Sequence, residues 1–160
     1  PEGMDPGLFE TTIMNPPMLG APDEDDRVAS AVTFGYVFDL AAVEIDRNTG
    51  EIEIVKYVSV HDVGNVLNEL VVEGQIYGGF AHGLAGALLE EFVYDAGANP
   101  QAGTFADYLC ITAPEVPEVT IGHFNTPSPH NTLGAKGMGD GSSMLAPIAI
   151  AAGLRISVDA

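Results

Sequence analysis

The stretch VEIDRNTGEIEIVKYVSVHD, residues 43–62, decides the fold that this sequence predicts. Apolar and polar side chains alternate on both sides of a central Asn-Thr-Gly segment, and this pattern is typical of two strands joined by a tight turn. We therefore predict a β-hairpin. In that hairpin, Val43 and Ile45 are expected to share one face with Ile52 and Ile54 or their neighbours.

The next segment, VVEGQIYGGFAHGLAGALLEE (residues 71–91), is too long for a strand and carries its large apolar residues at helical spacing. It also holds five glycines, and each costs roughly 1 kcal/mol relative to alanine inside a helix. Glycine is useful where another backbone or a ligand must approach closely. Tight packing of the helix against a sheet and the approach of a cofactor both remain open as explanations.

The rest of the sequence predicts shorter elements. Residues 1–28 are rich in proline and are expected to form an extended lead-in to a folded part over residues 29–160. We expect one short strand over residues 92–94 and another over residues 119–124. A terminal helix is expected to start with Ser142 or Ser143 as its N-cap. A hairpin, short strands, a long glycine-rich helix and a terminal helix together predict the α+β class.

The composition excludes several classes of protein. The chain has 160 residues, 46% of them hydrophobic, and a mean hydropathy of +0.19, which is enough for one folded domain. Its 23 acidic residues against 5 basic ones give a net charge of −18, which argues against nucleic acid and anionic membranes as partners. The acidity fits either a solvated surface, as in adaptation to high salt, or an acidic face that docks a basic partner subunit.

The cysteine content and the apolar stretches bear on location. Cys110 is the one cysteine, so the chain has neither an internal disulfide nor a self-contained iron–sulfur or structural zinc site. A reducing, cytoplasmic setting fits best. No signal peptide is expected, because the first residues lack a basic region and an apolar region. The weakly polar stretch around residues 70–89 contains Glu73, His82 and five glycines, and is a poor membrane span.

The stretch GAKGMGDGSS, residues 134–143, is the strongest candidate for chemistry. Successive glycines can turn backbone N–H groups toward one point, which favours an anion, and the following helix adds the positive end of its dipole. The stretch is not a P-loop, because Lys136 is followed by Gly137 and not by serine or threonine. Asp140 lies between two glycines and is a candidate general base. The alternative is that Asp140 caps the following helix.

The histidines form no metal-binding pattern. Their positions do not give a two-histidine helical pair or another recognised ligand spacing, so a metal held by protein side chains is not expected. The four are His61, His82, His123 and His130. His82 lies on the predicted glycine-rich helix, where packing and contact with a ligand are both open.

Three stretches in a fixed order resemble one known family. VEGQIYGGFAHGLAGALLEEFVYD (residues 72–95), GTFADY (residues 103–108) and TPSPHNTLGAKGMGDGSSMLAP (residues 126–147) are similar to the molybdenum-binding subunit of the xanthine dehydrogenase, aldehyde oxidase and carbon monoxide dehydrogenase family. FETTIMNPP (residues 9–17) and the hairpin also follow the family pattern. The resemblance implies that residues 29–160 form the C-terminal portion of a larger molybdopterin-binding domain.

The resemblance assigns a role to Asp140. In the family, a glutamate in a glycine-rich loop acts as general base on a water-derived ligand of the metal. Asp140 stands at the matching position. Aspartate is one methylene shorter, so its carboxylate falls roughly 1.5 Å short unless the loop moves inward, and catalysis is sensitive to displacement on that scale. Three outcomes remain open: a shifted loop with full activity, a different substrate, or a weakened or inactive centre.

The resemblance also implies residues that contact the cofactor. His82 stands where many relatives carry a glutamine that contacts the pterin, and histidine can still donate one hydrogen bond. The residues expected to contact molybdopterin are Gly78, Gly79, His82, Gly83, Gly137, Met138 and Gly139. No residue of this chain is expected to be a metal ligand.

At the level of the whole enzyme, the resemblance implies a multi-subunit molybdenum hydroxylase. Such an enzyme oxidises an aldehyde, an N-heterocycle or a similar small molecule with water as the oxygen source. The expected cofactor is molybdenum–molybdopterin in its cytosine dinucleotide form. The expected partners are the remaining molybdopterin-binding segment, an iron–sulfur subunit with [2Fe–2S] clusters and a subunit with FAD. The alternative is a non-catalytic assembly or binding piece in which the base position has degenerated.

Overall fold

The fold is described from a computed structural model, which covers residues 7, 9–13, 16, 19–29 and 31–159, with side chains described to residue 155. Contacts along the chain separate Pro1–Val32 from Thr33–Ala160. In the described part of the first unit, Asp23 Oδ1 accepts hydrogen bonds from the N–H groups of Asp25 and Arg27, which closes a turn. The elements of the second unit are β1 (Tyr36–Ile45), β2 (Ile52–Asp62), α1 (Glu69–Leu88), a short 3₁₀ turn (Ala113–Glu115), β3 (Val119–His123) and α2 (Gly141–Asp159).

The predicted hairpin is confirmed. Strands β1 and β2 pair antiparallel, with Val43 opposite Ile54 and Ile45 opposite Ile52. The connecting turn ends at Gly50, whose φ of +76° lies in the left-handed region that glycine adopts without strain. The local turn sequence therefore sets the register that the alternation predicted.

A β-bulge in the hairpin changes which residues of β2 face inward. Ile54 pairs with Val43 and Lys56 pairs with Ala42, so Val55 is an extra residue with no partner of its own. Side chains at even positions, such as Ile54, face inward before the bulge, and side chains at odd positions face inward after it. Three polar or aromatic residues, Tyr57, Ser59 and His61, are consequently buried with no measurable exposure.

The third strand joins β2 in the parallel direction. Tyr57 pairs with Val119 and His61 pairs with His123, which confirms the strand predicted from Val119 onward and gives the order β1-β2-β3. Parallel neighbours need a crossover connection, and α1 lies within it. The predicted strand at residues 92–94 is wrong. Within that stretch, the described pairing is a single bridge between Tyr94 and Pro100, because the segment has no neighbouring strand along which to extend.

The two helices contact each other, and α2 also packs against β1. Helix α1 begins two residues before the predicted start, with the Asn68 side chain accepting a hydrogen bond from the N–H of Val71. Helix α2 begins at Gly141, which puts the N-cap position at Asp140, so the prediction that Ser142 or Ser143 is the N-cap is wrong by two or three residues. The main core cluster consists of Tyr57, Phe80, Leu84, Val119, Ala146 and Ile150. These elements confirm the α+β class.

The other face of the sheet is apolar and open. It carries side chains that are at least half exposed, among them Tyr36, Phe38, Leu40 and Val55. A shallow groove of about 340 Å³ runs along it between β1 and Phe124. Neither described helix is long and apolar enough to cross a membrane.

Candidate active-site loop

The glycine-rich loop of residues 137–141 forms one wall of a cleft of about 260 Å³. The opposite wall comes from the start of β1 and the end of β2. Asp140 is exposed and lines this cleft. The cleft is lined by Gly35, Tyr36, Val37, His61, Asp62, Val63, Gly137, Met138, Gly139, Asp140, Gly141 and Met144.

Asp140 takes part in the start of α2 through its backbone and not through its carboxylate. Its carbonyl oxygen accepts hydrogen bonds from the N–H of Ser143 at 3.0 Å and from Ser143 Oγ at 2.6 Å. Within the described part of the chain, the carboxylate has no hydrogen-bond partner. The alternative that the Asp140 carboxylate caps the helix is therefore not what the structure shows. The carboxylate is available to a ligand or substrate in the cleft.

The backbone of the loop presents unpaired donors. Among the described residues, the N–H groups of Gly137, Met138, Gly139 and Asp140 donate to no other group of the chain. A side chain added at Gly137 or Gly139 would meet nothing within 4 Å, so packing inside this chain does not require glycine there. Unpaired N–H groups before a helix N-terminus suit an anionic ligand. This donor set fits the anionic groups of a molybdopterin.

A buried ion pair fixes the N-terminal end of the loop. Lys136 Nζ lies 2.7 Å from Asp62 Oδ2 and 2.6 Å from Thr126 Oγ1, and the two charged side chains are only 10% and 6% exposed. Thr126 also donates to Asp62 from its N–H at 3.0 Å and from its hydroxyl. The N–H of Lys136 in turn reaches the carbonyl of Val63 at 2.8 Å. The N-terminal end of the loop is therefore held beside the end of β2.

The same contacts set the ionisation of Asp62. Burial on its own would raise the pKa of this carboxyl group, but the hydrogen bonds from Lys136, Thr126 and the N–H of Gly64 outweigh burial and hold the pKa well below its usual range. Asp62 is thus charged at neutral pH and paired with Lys136.

A second cluster of polar side chains lies under the C-terminal end of the loop. Ser59 Oγ donates to Asp39 Oδ1 and lies 2.8 Å from His61 Nε2. Ser142, in the first turn of α2, places its Oγ 3.2 Å from the same His61 nitrogen. Tyr57 donates to the other Asp39 oxygen at 2.7 Å. We call Asp39, Tyr57, Ser59, His61 and Ser142 the His61 network.

The ionisation of this network follows from its burial. Burial, and to a smaller extent the nearby His123, lowers the pKa of His61, although the charge of Asp39 acts in the opposite direction. Burial and the hydrogen bond to Asp39 raise the pKa of Tyr57 well above its usual range. Both side chains are therefore neutral at pH 7.

The predicted cofactor-contacting glycines of α1 differ in their surroundings. A Cβ atom at Gly79 would lie 3.4 Å from the N of Ser143 and 3.7 Å from the Cα of Asp140, so the structure brings Gly79 and the loop together. A Cβ atom at Gly83 would lie 2.9 Å from the Cβ of Ala146, which means that contact with α2 already requires glycine there. Gly78 faces open space.

The two larger predicted contact residues also differ. His82 is exposed on α1 and lies on the same helix face as Gly78, four residues earlier. Met138 is partly buried and packs against a small cluster of Val63, Val72 and Ile76, while also lining the cleft. Contact of these residues with a cofactor stays a prediction. No group of three or more potential metal-ligating side chains occurs among the described residues.

The sequence did not single out the residues that hold the loop. The Asp62–Lys136 pair spans 74 positions and the contact between His61 and Ser142 spans 81 positions. The alternation of the polar Ser59 and His61 with the apolar Val58 and Val60 is the one signal that points to them. Because the bulge changes which positions of β2 face inward, the sequence alone does not show that these two side chains point into the core.

Comparison with known proteins agrees with this geometry. The family model for the molybdopterin cofactor-binding domain matches residues 4–117. The chain belongs to the molybdopterin cofactor-binding large-subunit family. The resemblance noted in the sequence is thereby confirmed, and residues 118–160, with the candidate loop, lie beyond the part that the family model matches.

Individual relatives extend the match. The carbon monoxide dehydrogenase large chain of Hydrogenophaga pseudoflava is 34% identical over 140 residues, which are 88% of this chain and 16% of that protein. The nicotine 6-hydroxylase large subunit of Paenarthrobacter nicotinovorans is 39% identical over 108 residues, which are 68% of this chain and 13% of that protein. The chain thus spans less than one fifth of the length of these two curated relatives.

Solved structures show the same fold. Quinoline 2-oxidoreductase from Pseudomonas putida superimposes with a TM-score of 0.70 at 38% identity, covering 73% of this chain and 15% of that one. Aldehyde oxidoreductase from Desulfovibrio desulfuricans gives a TM-score of 0.65 at 32% identity, covering 72% of this chain and 12% of that one. These matches support an α+β unit that is part of a larger molybdopterin-binding protein.

Proposed function

We propose that this chain supplies the general base of a molybdopterin-dependent oxidoreductase, with Asp140 as the base. The observation that carries the proposal is the position of Asp140: its carboxylate lines an open cleft and has no hydrogen-bond partner in the described chain. A general base must be free to reach the proton that it accepts. When bound, molybdenum on molybdopterin supplies a two-electron acceptor and activates water as the source of oxygen.

The loop backbone and α1 have a binding role in this proposal. The N–H groups of residues 137–140 hold an anionic part of the cofactor, since they lie just before the N-terminus of α2 and have no partner in the described chain. Gly78 and His82 lie on the exposed face of α1, where the absence of a Cβ atom at Gly78 leaves the helix backbone accessible. Gly79 lets α1 approach the loop that carries Asp140.

The test uses the purified complex that contains this chain and measures substrate-dependent dye reduction. Asp140→Ala should lower kcat by at least about 100-fold, because general-base catalysis contributes about 10²–10⁴-fold. Asp140→Glu, which restores the residue found in the family motif, should keep activity or raise it. Asp107→Ala removes an exposed aspartate from a different loop, where its carboxylate accepts a hydrogen bond from Thr104, and serves as the control. Full turnover by Asp140→Ala in an active complex would exclude the base role.

We extend the proposal to substrate and partners on the strength of the relatives. The names of two of them specify nicotine and quinoline, which are N-heterocycles, and others specify aldehydes or carbon monoxide. We propose an aldehyde, an N-heterocycle or a similar small molecule as substrate, the cytosine dinucleotide form of the cofactor, and partner chains with [2Fe–2S] clusters and FAD. A cytoplasmic location agrees with the single exposed cysteine.

A non-catalytic role is the second candidate, and the shorter carboxylate at position 140 is the observation that favours it. In that case the chain would serve in assembly or binding within a complex without a working centre. Elemental analysis of the native complex separates the two roles. Molybdenum at about one atom per complex supports the enzyme, and a complex without molybdenum supports the assembly role.

A further inference from the structure

We propose that His61 is a positioning residue for Asp140. Through Ser142 it fixes the first turn of α2, and so fixes the end of the loop on which Asp140 is carried. The proposal rests on the proposed function of Asp140 and adds His61, to which neither the family resemblance nor the sequence motifs assigned a role, and a new role for Ser142. Its three supports are the donor and acceptor pattern of the His61 network, the burial of that network, and the composition of the loop.

The hydrogen-bond pattern determines the tautomer of His61. Ser59 has one hydroxyl hydrogen and donates it to the Asp39 carboxylate, which can only accept. At the short contact of 2.8 Å between Ser59 Oγ and His61 Nε2, the nitrogen must therefore be the donor. His61 is thus protonated on Nε2, and the same N–H also points to Ser142 Oγ at 3.2 Å.

The other ring nitrogen of His61, Nδ1, favours the same tautomer. His61 Nδ1 is buried and has no hydrogen-bond partner among the described residues. A proton on Nδ1 would be a buried donor without an acceptor, which is costly, so His61 stays in the neutral Nε2–H form. The charged or titratable groups that flank it are Asp39 on β1, His123 on β3 and Asp62 on its own strand, the last already paired with Lys136.

The composition of the loop explains why an anchor is needed. Between Lys136 and Ser142 the sequence is Gly-Met-Gly-Asp-Gly, and glycine carries the largest conformational freedom in the unfolded chain. Ser142 is the first buried residue after this segment, with 1% exposure, and it lies two positions beyond Asp140. A Cβ atom at Gly141 would lie 2.8 Å from Val37 Cγ2 and 4.0 Å from the His61 ring, so this end of the loop sits directly on the network.

The experiment compares variants of the purified complex by kinetics and by hydrogen–deuterium exchange of amides 143–146, the first hydrogen-bonded amides after the loop, a quantity that we call loop exchange. Ser142→Ala should lower kcat about tenfold with KM within about twofold, because misplacement of a catalytic group by about 1 Å can cost up to about 100-fold in rate. Loop exchange should rise at least about fivefold, since loss of an anchor increases local opening. Ser128→Ala removes another buried serine, which lies outside the network, and is the control, expected to change neither quantity.

A second pair of variants separates positioning from general packing. His61→Leu fills the site without a donor and should lower kcat and raise loop exchange at least as much as Ser142→Ala. His61→Gln keeps an N–H near the position of Nε2 and should recover kcat to within about fivefold of wild type. Recovery by glutamine would not be expected if the histidine served only to fill space.

The possible results separate this proposal from the proposed function. If Ser142→Ala leaves both kcat and loop exchange unchanged while Asp140→Ala abolishes turnover, the base role stands and the positioning role is overturned. If Asp140→Ala retains turnover, the base role fails, and loop exchange in Ser142→Ala still decides whether His61 anchors the loop.

Discussion

The Asp62–Lys136 pair shows how one interaction between side chains can govern a functional loop. Lys136 is the last residue before the glycines, and its ammonium group contacts Asp62, Thr126 and, at 5.7 Å, the ring of Tyr36. Removing one partner of a buried pair leaves an uncompensated charge, which costs more than the pair itself contributes. The pair is therefore a sensitive point of the fold.

We expect Lys136→Met to destabilise the full chain by about 3–5 kcal/mol, because it leaves the buried Asp62 carboxylate without its counter-charge. The double variant Asp62→Asn/Lys136→Met should recover part of that loss, because neither buried charge remains. The midpoint of urea denaturation measures both effects. A single variant that unfolds at the wild-type urea concentration would contradict the buried pairing.

The lowered pKa of Asp62 has a consequence for acid stability. A carboxyl group whose pKa is lower in the folded state stabilises the fold above its unfolded pKa of about 3.9, and this stabilisation is lost as the pH falls below that value. In Asp62→Asn the decline of stability below about pH 4 should be shallower than in wild type. Denaturation midpoints at several pH values between neutral and acidic provide the measurement, and parallel curves for the two proteins would argue against the assignment.

At the scale of single residues, the sequence predicted part of the site. Asp140 and its flanking glycines are contiguous, so their pattern alone pointed to a glycine-rich loop with a candidate base, but it left open whether the Asp140 carboxylate caps the following helix. The His61 network combines side chains from β1, β2 and α2, at positions 39, 57, 59, 61 and 142. Such a set depends on tertiary packing, and no local pattern specifies it.

At the scale of the elements, the glycines of α1 differ in whether packing against α2 requires them. Gly83 is pressed against α2, where an added Cβ atom would lie 2.9 Å from Ala146 and 3.1 Å from the Pro147 ring. Gly86, three residues later, faces open space. Both glycines lie in the same helix and have the same intrinsic helix propensity, so a comparison of the two isolates the effect of packing.

Alanine substitutions at the two positions should act in opposite directions. Gly83→Ala should destabilise the full chain by about 1–3 kcal/mol, because it forces the two helices apart. Gly86→Ala should stabilise it by up to about 1 kcal/mol, since alanine favours the helix and meets no neighbour. Chemical denaturation monitored by circular dichroism compares the two. Equal effects would mean that α1 and α2 do not pack as described.

The outline of the elements was predictable, but their details were not. The hairpin, α1, β3 and α2 follow from local alternation, helical spacing and turn residues. Which glycines of α1 face α2 depends on how the helix is rotated against its neighbour, and five glycines in one helix leave that rotation undetermined from the sequence. The predicted strand at residues 92–94 failed for a related reason, because an apolar triplet becomes a strand only beside a partner.

At the scale of the whole molecule, both walls of the cleft beside Asp140 belong to this chain, but the cleft is not enclosed. The cleft of about 260 Å³ beside Asp140 is open, and the chain matches 16% of the length of the carbon monoxide dehydrogenase large chain. We therefore expect the cofactor contacts in the proposed complex to be divided among several segments, with this chain supplying a fraction of them.

We expect the chain, purified by itself, to carry no pterin. Denaturation and oxidation should release no pterin fluorescence, whereas the complete complex treated in parallel should release about one equivalent per active centre, because dividing a cleft removes most of the contacts that hold its ligand. Stoichiometric pterin on the lone chain would contradict the division of the site.

The bulge at Val55 decides which side chains of β2 lie beneath the loop. If the same residues alternated without a bulge, the inward positions set by Ile52 and Ile54 would continue through Lys56, Val58 and Val60. The bulge instead turns these three side chains away from the helices and brings a serine and a histidine under them. A regular strand of this sequence would therefore bury a lysine, and the loop above it would lose its contacts with Ser59 and His61.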